Sequence, residues 1–206
     1  MTKYDQFKCW IKYRLFHKKR TLKQTQEFWN KAEGDNWNKY KEGIGKSKFF
    51  HNLIAFIPLS KHTRILELGC NVGRNLNYLR SKGFTNLTGI ELNSEAVKNS
   101  LKGFKIFNSS IEDYLRNFEN KYDLIFTMAA LEHLPQESEW IFAEMVKRAK
   151  HIITIEDEHS LNKICFPRNY KKIFESLGMK QIYECDCEGV HPTLTKNFRA
   201  RVFQHK

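Results

Sequence analysis

The feature that most constrains the fold is a buried-strand pattern followed by a glycine turn and a helix, over residues 64–74. The stretch reads Arg-Ile-Leu-Glu-Leu-Gly-Cys-Asn-Val-Gly-Arg, and its apolar run is typical of a strand buried on both faces. The turn holds Gly69 and Gly73, where the N–H groups that begin a helix can face a ligand. Glu91 ends the next strand pattern, where a nucleotide-binding βαβ unit places a carboxylate for two ribose hydroxyls.

Strand and helix patterns alternate from residue 64 onwards, which predicts a parallel sheet with helices on both faces. Strands are expected near residues 64–68, 87–91, 104–107, 122–127 and 150–156, and helices near residues 46–57, 73–82, 94–102, 111–118, 136–148 and 169–177. Alternating residues 180–184 and 199–203 predict a final antiparallel hairpin. The predicted fold class is α/β, a Rossmann-like doubly wound sheet with an N-terminal helical extension.

Three segments carry a family resemblance. Glu67-Leu-Gly-Cys-Asn-Val-Gly73 and Gly89-Ile-Glu91-Leu-Asn93 resemble the first two motifs of class I S-adenosylmethionine-dependent methyltransferases. Residues 122–135, which end in Leu-Glu-His-Leu-Pro, are similar to the fourth motif of small-molecule methyltransferases. The resemblance covers roughly residue 49 to the C-terminus. It implies a seven-stranded sheet of order 3-2-1-4-5-7-6 with the last strand antiparallel, and S-adenosylmethionine as cofactor.

Three differences from the motifs of related enzymes bear on which reaction and which methyl acceptor the sequence favours. Asn71 replaces the usual middle glycine of the first motif, as in the methylases associated with pseudaminic-acid biosynthesis. The dehydrogenase pattern G-x-G-x-x-G is absent, and so is the N-P-P-Y type tetrad of amino-group methylases. Methyl transfer is therefore favoured over hydride transfer. A sugar or other small molecule is favoured as the methyl acceptor.

The resemblance also implies the cofactor contacts. Glu67 would hold the cofactor's ammonium group, Glu91 would accept from both ribose hydroxyls, and Leu92 would pack on the adenine. Ser110 stands where the third motif usually has aspartate. The expected cofactor-binding residues are Glu67, Gly69, Cys70, Asn71, Gly73, Glu91, Leu92, Ser110, Ile111, Thr127 and Met128.

Methyl transfer to a hydroxyl needs a base, and the candidate catalytic residues are His133, Glu156 and His159. Each has an alternative: His133 as a helix-capping residue, and the segment 156–159 as a solvated loop. No metal is expected, because neither the acidic segment nor the five cysteines have the spacing of a metal site.

Positive charge is concentrated at the N-terminus. Residues 1–23 hold eight basic side chains against Asp5, so this arm carries +7 of the formal net charge of +12. Residues 1–20 of the arm are predicted to form a basic helix that packs on the domain, contacts an anionic membrane weakly, or contacts nucleic acid weakly. Residues 1–57 are predicted to be a basic helical extension and cofactor lid, and residues 58–206 the catalytic domain. The aromatic cluster that would form the lid (Phe28, Trp29, Trp37 and Tyr40) could also simply cover the sheet edge.

The predicted function is methyl transfer from S-adenosylmethionine to a small molecule or sugar intermediate, in surface-glycan synthesis. The alternative is an RNA methyltransferase that uses the basic arm, and a third possibility is a non-enzymatic binding module. Without an apolar signal core or a run of about 18 apolar residues, the chain is expected in the cytoplasm, with peripheral contact at the inner membrane surface. The oligomeric state stays open.

Overall fold

The computed structural model describes residues 19–32, 43–160 and 162–205. The predicted helix over residues 1–20 therefore lies almost entirely outside the described part, as do Trp37 and Tyr40 of the predicted aromatic lid. No helix in the described ranges is long and apolar enough to cross a membrane.

Seven strands form one sheet, and it has the predicted order, β3-β2-β1-β4-β5-β7-β6. All neighbours pair in parallel except β7, which is antiparallel to both β5 and β6. The doubly wound α/β prediction is confirmed. The strands are β1 (Ile65–Leu68), β2 (Leu87–Glu91), β3 (Lys105–Asn108), β4 (Tyr122–Met128), β5 (Ala149–Asp157), β6 (Met179–Asp186) and β7 (Phe198–His205).

Seven α-helices lie within the described residues. They are α1 (Leu22–Lys31), α2 (Ile44–Ile54), α3 (Arg74–Ser81), α4 (Ser94–Lys98), α5 (Ile111–Asn117), α6 (Trp140–Arg148) and α7 (Tyr170–Ser176), with 3₁₀ turns at Leu131–His133 and Gln136–Ser138. Helix α4 is shorter than predicted, because the chain leaves the helix after Lys98 and the N–H of Leu101 donates to the carbonyl of Val72 at 3.0 Å.

The sheet is covered on both faces. One core holds the inner faces of α2 and α3, and Phe50 of α2 stacks on Phe126 of β4 with ring centroids 3.9 Å apart. The other core holds α5, α6 and α7, with Tyr114 and Phe174 fully enclosed. Burial on both faces explains why β1 and β4 read as continuous apolar runs in the sequence. The carboxyl ends of β1, β2 and β4 meet at one edge, where the predicted site residues lie.

Candidate active site

The turn after β1 uses three residues in the left-handed backbone region: Gly69 at φ 74°, Asn71 at φ 50° and Gly73 at φ 77°. A Cβ on Gly69 would lie 2.7 Å from the Cβ of Ala130, and one on Gly73 would lie 2.4 Å from the Phe104 ring. Asparagine tolerates this backbone region better than most other residues that carry a side chain, which explains how Asn71 can replace a glycine here. The turn therefore brings bare backbone to the edge of the sheet.

Glu91 is tied to this turn. Its two carboxylate oxygens accept from the backbone N–H groups of Asn71, at 2.8 Å, and Asn93, at 2.7 Å. Burial raises the pKa of Glu91, and the backbone hydrogen bonds oppose that rise. The carboxylate is thus held rigidly at the end of β2, beside the turn after β1.

Glu67 lies at the end of β1 and is 2 % exposed. Asn75 Nδ2 donates to its Oε1 at 2.7 Å, whereas Oε2 is buried and has no hydrogen-bond partner among the described residues. Burial raises the pKa of Glu67 to about 8. A buried acceptor without a donor is costly, so a ligand that brings a donor or a positive charge would fit here.

A cavity of about 510 Å³ opens along this edge of the sheet. Its lining includes every predicted cofactor-binding residue except Gly73 and Thr127, namely Glu67, Gly69, Cys70, Asn71, Glu91, Leu92, Ser110, Ile111 and Met128. Gly73 lies against Phe104 instead. Thr127 is fully buried within β4, where side chains alternate between the two faces, so that Thr127 and the cavity-lining Met128 point in opposite directions.

Ser110 has a structural task as well as its place in the lining. It is the N-cap of α5, and its hydroxyl oxygen accepts from the N–H of Asp113 at 3.0 Å. The same hydroxyl donates to the Asp113 carboxylate at 2.7 Å. Ser110 thus provides the hydrogen-bond acceptor that the first N–H groups of α5 need. The resemblance places an aspartate at this position.

Among the three predicted bases, His133 alone lines the cavity. Its Nδ1 lies 2.9 Å from the carbonyl oxygen of Ile164, which can only accept, so Nδ1 carries the hydrogen and Nε2 keeps the lone pair in the neutral ring. Burial lowers the pKa of His133. The Trp29 ring lies against the imidazole, with centroids 4.4 Å apart. The lowered pKa favours the neutral ring, and its Nε2 lies 3.5 Å from Glu132 Oε1 at the cavity.

Glu156 and His159 lie elsewhere. Glu156 is fully buried, and its carboxylate accepts from the N–H groups of Ala130, at 3.0 Å, and Glu132, at 3.1 Å. It therefore supports the turn that carries His133. His159 is exposed beyond the end of β5, and Glu158 between them forms a buried ion pair with Arg201 at 2.7 Å. Glu156 and Glu158 thus turn into the fold and His159 stays exposed, and none of residues 156–159 belongs to the described cavity lining.

One group of side chains has the atoms for a metal site. The ligand atoms of Glu132, His133 and Cys165 lie within 4.8 Å of one another. The Lys19 ammonium group donates to the carbonyl of Cys165, and the N–H of Asp157 donates to the Glu132 carboxylate. A cation beside the group and an engaged carboxylate both disfavour a divalent ion. The absence of a metal stays a prediction.

The sequence patterns missed several lining residues. Helix α1 contributes Leu22, Thr25, Gln26 and Trp29 to one wall, while Lys46, Arg74, Asn75 and Glu132 also lie against the cavity. Asn93 holds α1 in place: its Nδ2 donates to the carbonyls of Trp29 and Ala32, each at 2.9 Å. The aromatic cluster around Trp29 was the only sequence signal for this wall.

The residues present fit the cofactor that the resemblance implies. A bare glycine turn admits close approach of the cofactor, Glu91 offers a carboxylate at the ribose position of a βαβ unit, and Glu67 keeps a buried acceptor for an ammonium group.

Comparison with known proteins identifies the family and agrees with the fold. A family model described as a methyltransferase domain matches residues 39–165. A SAM-dependent methyltransferase from Archaeoglobus fulgidus has a TM-score of 0.65 at 16 % identity, over 82 % of this chain and 100 % of that chain. Magnesium protoporphyrin IX methyltransferase from Synechocystis PCC 6803, solved with bound SAM, has a TM-score of 0.65 at 12 % identity, over 88 % and 95 %.

A third structure, from the Haloferax volcanii complex between the Trm112 methyltransferase activator and a methyltransferase, has a TM-score of 0.65 at 13 % identity, over 85 % of this chain and 97 % of that chain. At such identities the likeness shows a shared fold. The family match covers more than half of the 206 residues, and the chain therefore belongs to the methyltransferase domain family, with the class I strand order.

Proposed function

We propose that the enzyme methylates a small molecule or sugar intermediate, in the synthesis of a surface glycan. The observation that carries this proposal is that the described lining of the cavity has only two strongly basic side chains, Lys46 and Arg74. A polyphosphate substrate would need basic groups around the site. The wall formed by α1 also encloses the cavity, which suits a small acceptor.

The surface-glycan assignment rests on Asn71. Its backbone N–H reaches Glu91, and its side-chain Oδ1 accepts from the N–H of Val72 at 2.8 Å. Asparagine thus stabilises the turn in a way that glycine would not. The presence of asparagine at this position is what supports the resemblance to the methylases associated with pseudaminic-acid biosynthesis, and we propose that subtype.

We propose that the nine cavity-lining residues predicted for the cofactor bind it, with Glu67 at the ammonium group and Glu91 at the ribose. Once bound, the cofactor supplies an activated methyl group. His133 Nε2 accepts the proton that a hydroxyl acceptor loses as its oxygen bonds to the methyl carbon. Ile164 keeps the ring in the required tautomer through Nδ1, and Trp29 excludes water from one face of it.

We also propose that residues 1–57 form an extension whose α1 acts as a lid, next to a catalytic domain over residues 58–206. The family match begins at residue 39, and Phe50 packs in the sheet core, so the end of this extension is structurally continuous with the domain. We propose a cytoplasmic enzyme whose basic arm makes weak contacts with an anionic membrane surface or nucleic acid.

RNA methylation is the second candidate, and the charge of +7 on residues 1–23 is what favours it. Almost all of this arm lies outside the described residues. A basic arm on its own supplies salt-dependent affinity but does not orient one atom for reaction.

The test is a labelling experiment. Purified enzyme is incubated with radiolabelled S-adenosylmethionine and a cell extract separated into small-molecule, RNA and protein fractions, with Glu91→Ala as the control for cofactor-dependent labelling. We expect label in the small-molecule fraction. Label confined to the RNA fraction would replace the first candidate by the second.

A further inference from the structure

Two polar atoms of α1 are buried and have no hydrogen-bond partner among the described residues: Thr25 Oγ1 and Trp29 Nε1. Both residues line the same cavity as Glu67, whose Oε2 shares this property. Thr25 is only 4 % exposed. A buried hydroxyl or indole N–H usually has a partner, so one that faces a ligand cavity indicates that the ligand supplies it.

The two residues form one unit on the inner face of α1. They are four residues apart and therefore neighbours on the helix surface. Trp29 also lies against His133, so this face of α1 borders the proposed catalytic histidine. An indole N–H only donates, whereas a hydroxyl donates or accepts. Together they match ligand oxygen atoms that offer lone pairs.

The position of this face is fixed at both ends of α1. At the N-terminus, the backbone N–H of Leu22 donates to the carboxylate of Glu137. In the middle, Gln26 Nε2 donates to Glu112 at 3.4 Å, and near the C-terminus Asn93 holds the carbonyls of Trp29 and Ala32. With the helix held in this way, Thr25 Oγ1 and Trp29 Nε1 stay buried at the cavity unless several contacts break.

We propose that Thr25 and Trp29 are ligand-binding residues, which donate hydrogen bonds to oxygen atoms of the molecule bound beneath α1. The α1 lid therefore binds the ligand through hydrogen bonds as well as covering it. This inference rests on the proposed placement of the reaction beside His133. The oxygens belong either to the cofactor or to the methyl acceptor, and the two sources are distinguished by experiment.

The test uses near-isosteric variants that remove only the hydrogen-bonding atom: Trp29→Phe keeps a ring against His133, and Thr25→Val keeps the branched shape. Matched controls away from the cavity are Trp140→Phe on α6 and Thr85→Val, which is exposed. Calorimetry with S-adenosylhomocysteine measures cofactor affinity. Methyl incorporation at limiting acceptor, in whichever extract fraction the parent enzyme labels, measures contacts to the acceptor. Thermal unfolding separates a loss of folding.

We expect each α1 variant to show an about fivefold reduction in either S-adenosylhomocysteine affinity or methyl incorporation, which is the typical effect of removing one hydrogen bond. Both controls should behave like the parent. Weaker S-adenosylhomocysteine binding assigns the oxygens to the cofactor; unchanged binding with reduced incorporation assigns them to the acceptor. Parental affinity and parental incorporation in both variants would overturn the inference. A parent that binds S-adenosylhomocysteine but labels only RNA contradicts the proposed acceptor alone, and the variants are then compared on that fraction.

Discussion

The backbone N–H of Asn71 donates to Glu91 Oε2 at 2.8 Å, so the turn after β1 and the carboxylate that ends β2 form one rigid unit. The other carboxylate oxygen accepts from the N–H of Asn93, which is also the N-cap of α4 and the residue that holds α1. The sheet edge, the neighbouring helix and the lid are therefore connected through a single carboxylate. A substitution of Glu91 should therefore loosen the sheet edge, the neighbouring helix and the lid together.

Replacing Glu91 should weaken cofactor binding strongly. Glu91→Ala removes the proposed acceptor of two ribose hydroxyls, and the loss of two charge-assisted hydrogen bonds is on the order of 3 kcal/mol. Calorimetry with S-adenosylhomocysteine measures this, with the exposed Glu95→Ala as the control for a nearby charge. Parental affinity in Glu91→Ala would remove the basis for the ribose assignment.

Binding at Glu67 should release a proton. The pKa of Glu67 is raised from 4.5 to about 8, so at pH 7 the carboxyl is protonated until a ligand ammonium group favours the charged form. Binding enthalpies of S-adenosylhomocysteine should therefore depend on the ionisation heat of the buffer at pH 7. Glu67→Gln should abolish that dependence; a parent whose enthalpy is the same in every buffer contradicts the prediction.

The same group should shape the stability of the unliganded enzyme. Because the folded pKa lies above the unfolded one, the folded state binds the proton more tightly. The stability that this group contributes is complete below pH 4.5 and is lost as the pH rises towards about 8. As the pH rises through this window, the parent should therefore lose unfolding free energy relative to Glu67→Gln. Denaturant titration of both proteins measures this difference.

Among the three predicted bases, His133 should control the rate. His133→Ala should reduce turnover by about 10²- to 10⁴-fold for a hydroxyl acceptor, with cofactor affinity nearly retained. His159→Ala, at an exposed position, should match the parent. Glu156→Gln tests the supporting role, since it should lower stability through the backbone bonds of Ala130 and Glu132. If the rate followed His159, catalysis would lie outside the described cavity.

Two variants of Asn93 separate its tasks. Asn93→Asp keeps an N-cap for α4 but removes the amide that donates to Trp29 and Ala32, so amides of α1 should exchange hydrogen faster while α4 stays protected. Asn93→Ala should also lose about 1 kcal/mol of stability from the missing cap. Hydrogen exchange by mass spectrometry provides the comparison, and parental protection of α1 in Asn93→Asp would show that other contacts hold the lid.

Affinity for polyanions should reside in the N-terminal arm. Removal of residues 1–18 eliminates five of the eight basic side chains of the arm. Binding to RNA or anionic vesicles should be weak and steeply salt-dependent in the full chain and lost in the truncated one, while methylation of a small acceptor largely survives. Filter binding and vesicle sedimentation at low and physiological salt measure this. Tight, salt-resistant RNA binding by the truncated enzyme would favour the RNA candidate.

The order of strands and helices could be predicted from the sequence because burial on two faces leaves continuous apolar runs, as in β1 and β4, and because Gly69, Gly73 and Glu91 stand at strand ends. Gly69 and Glu91 also located one side of the cavity. Local patterns of this kind involve residues that are close in the chain and are therefore visible without the fold.

The opposite wall depended on the tertiary structure. Thr25 and Trp29 reach the cavity because residues far away in the chain, among them Asn93 and Glu112, hold α1 over it. Tertiary contacts likewise enclose Glu156 beneath a turn and bring His133 to the cavity, although both follow strands in a similar way. Composition and spacing determined which chemistry this chain can carry, whereas long-range packing and hydrogen bonding decided which of its polar side chains meet a ligand and which support the backbone.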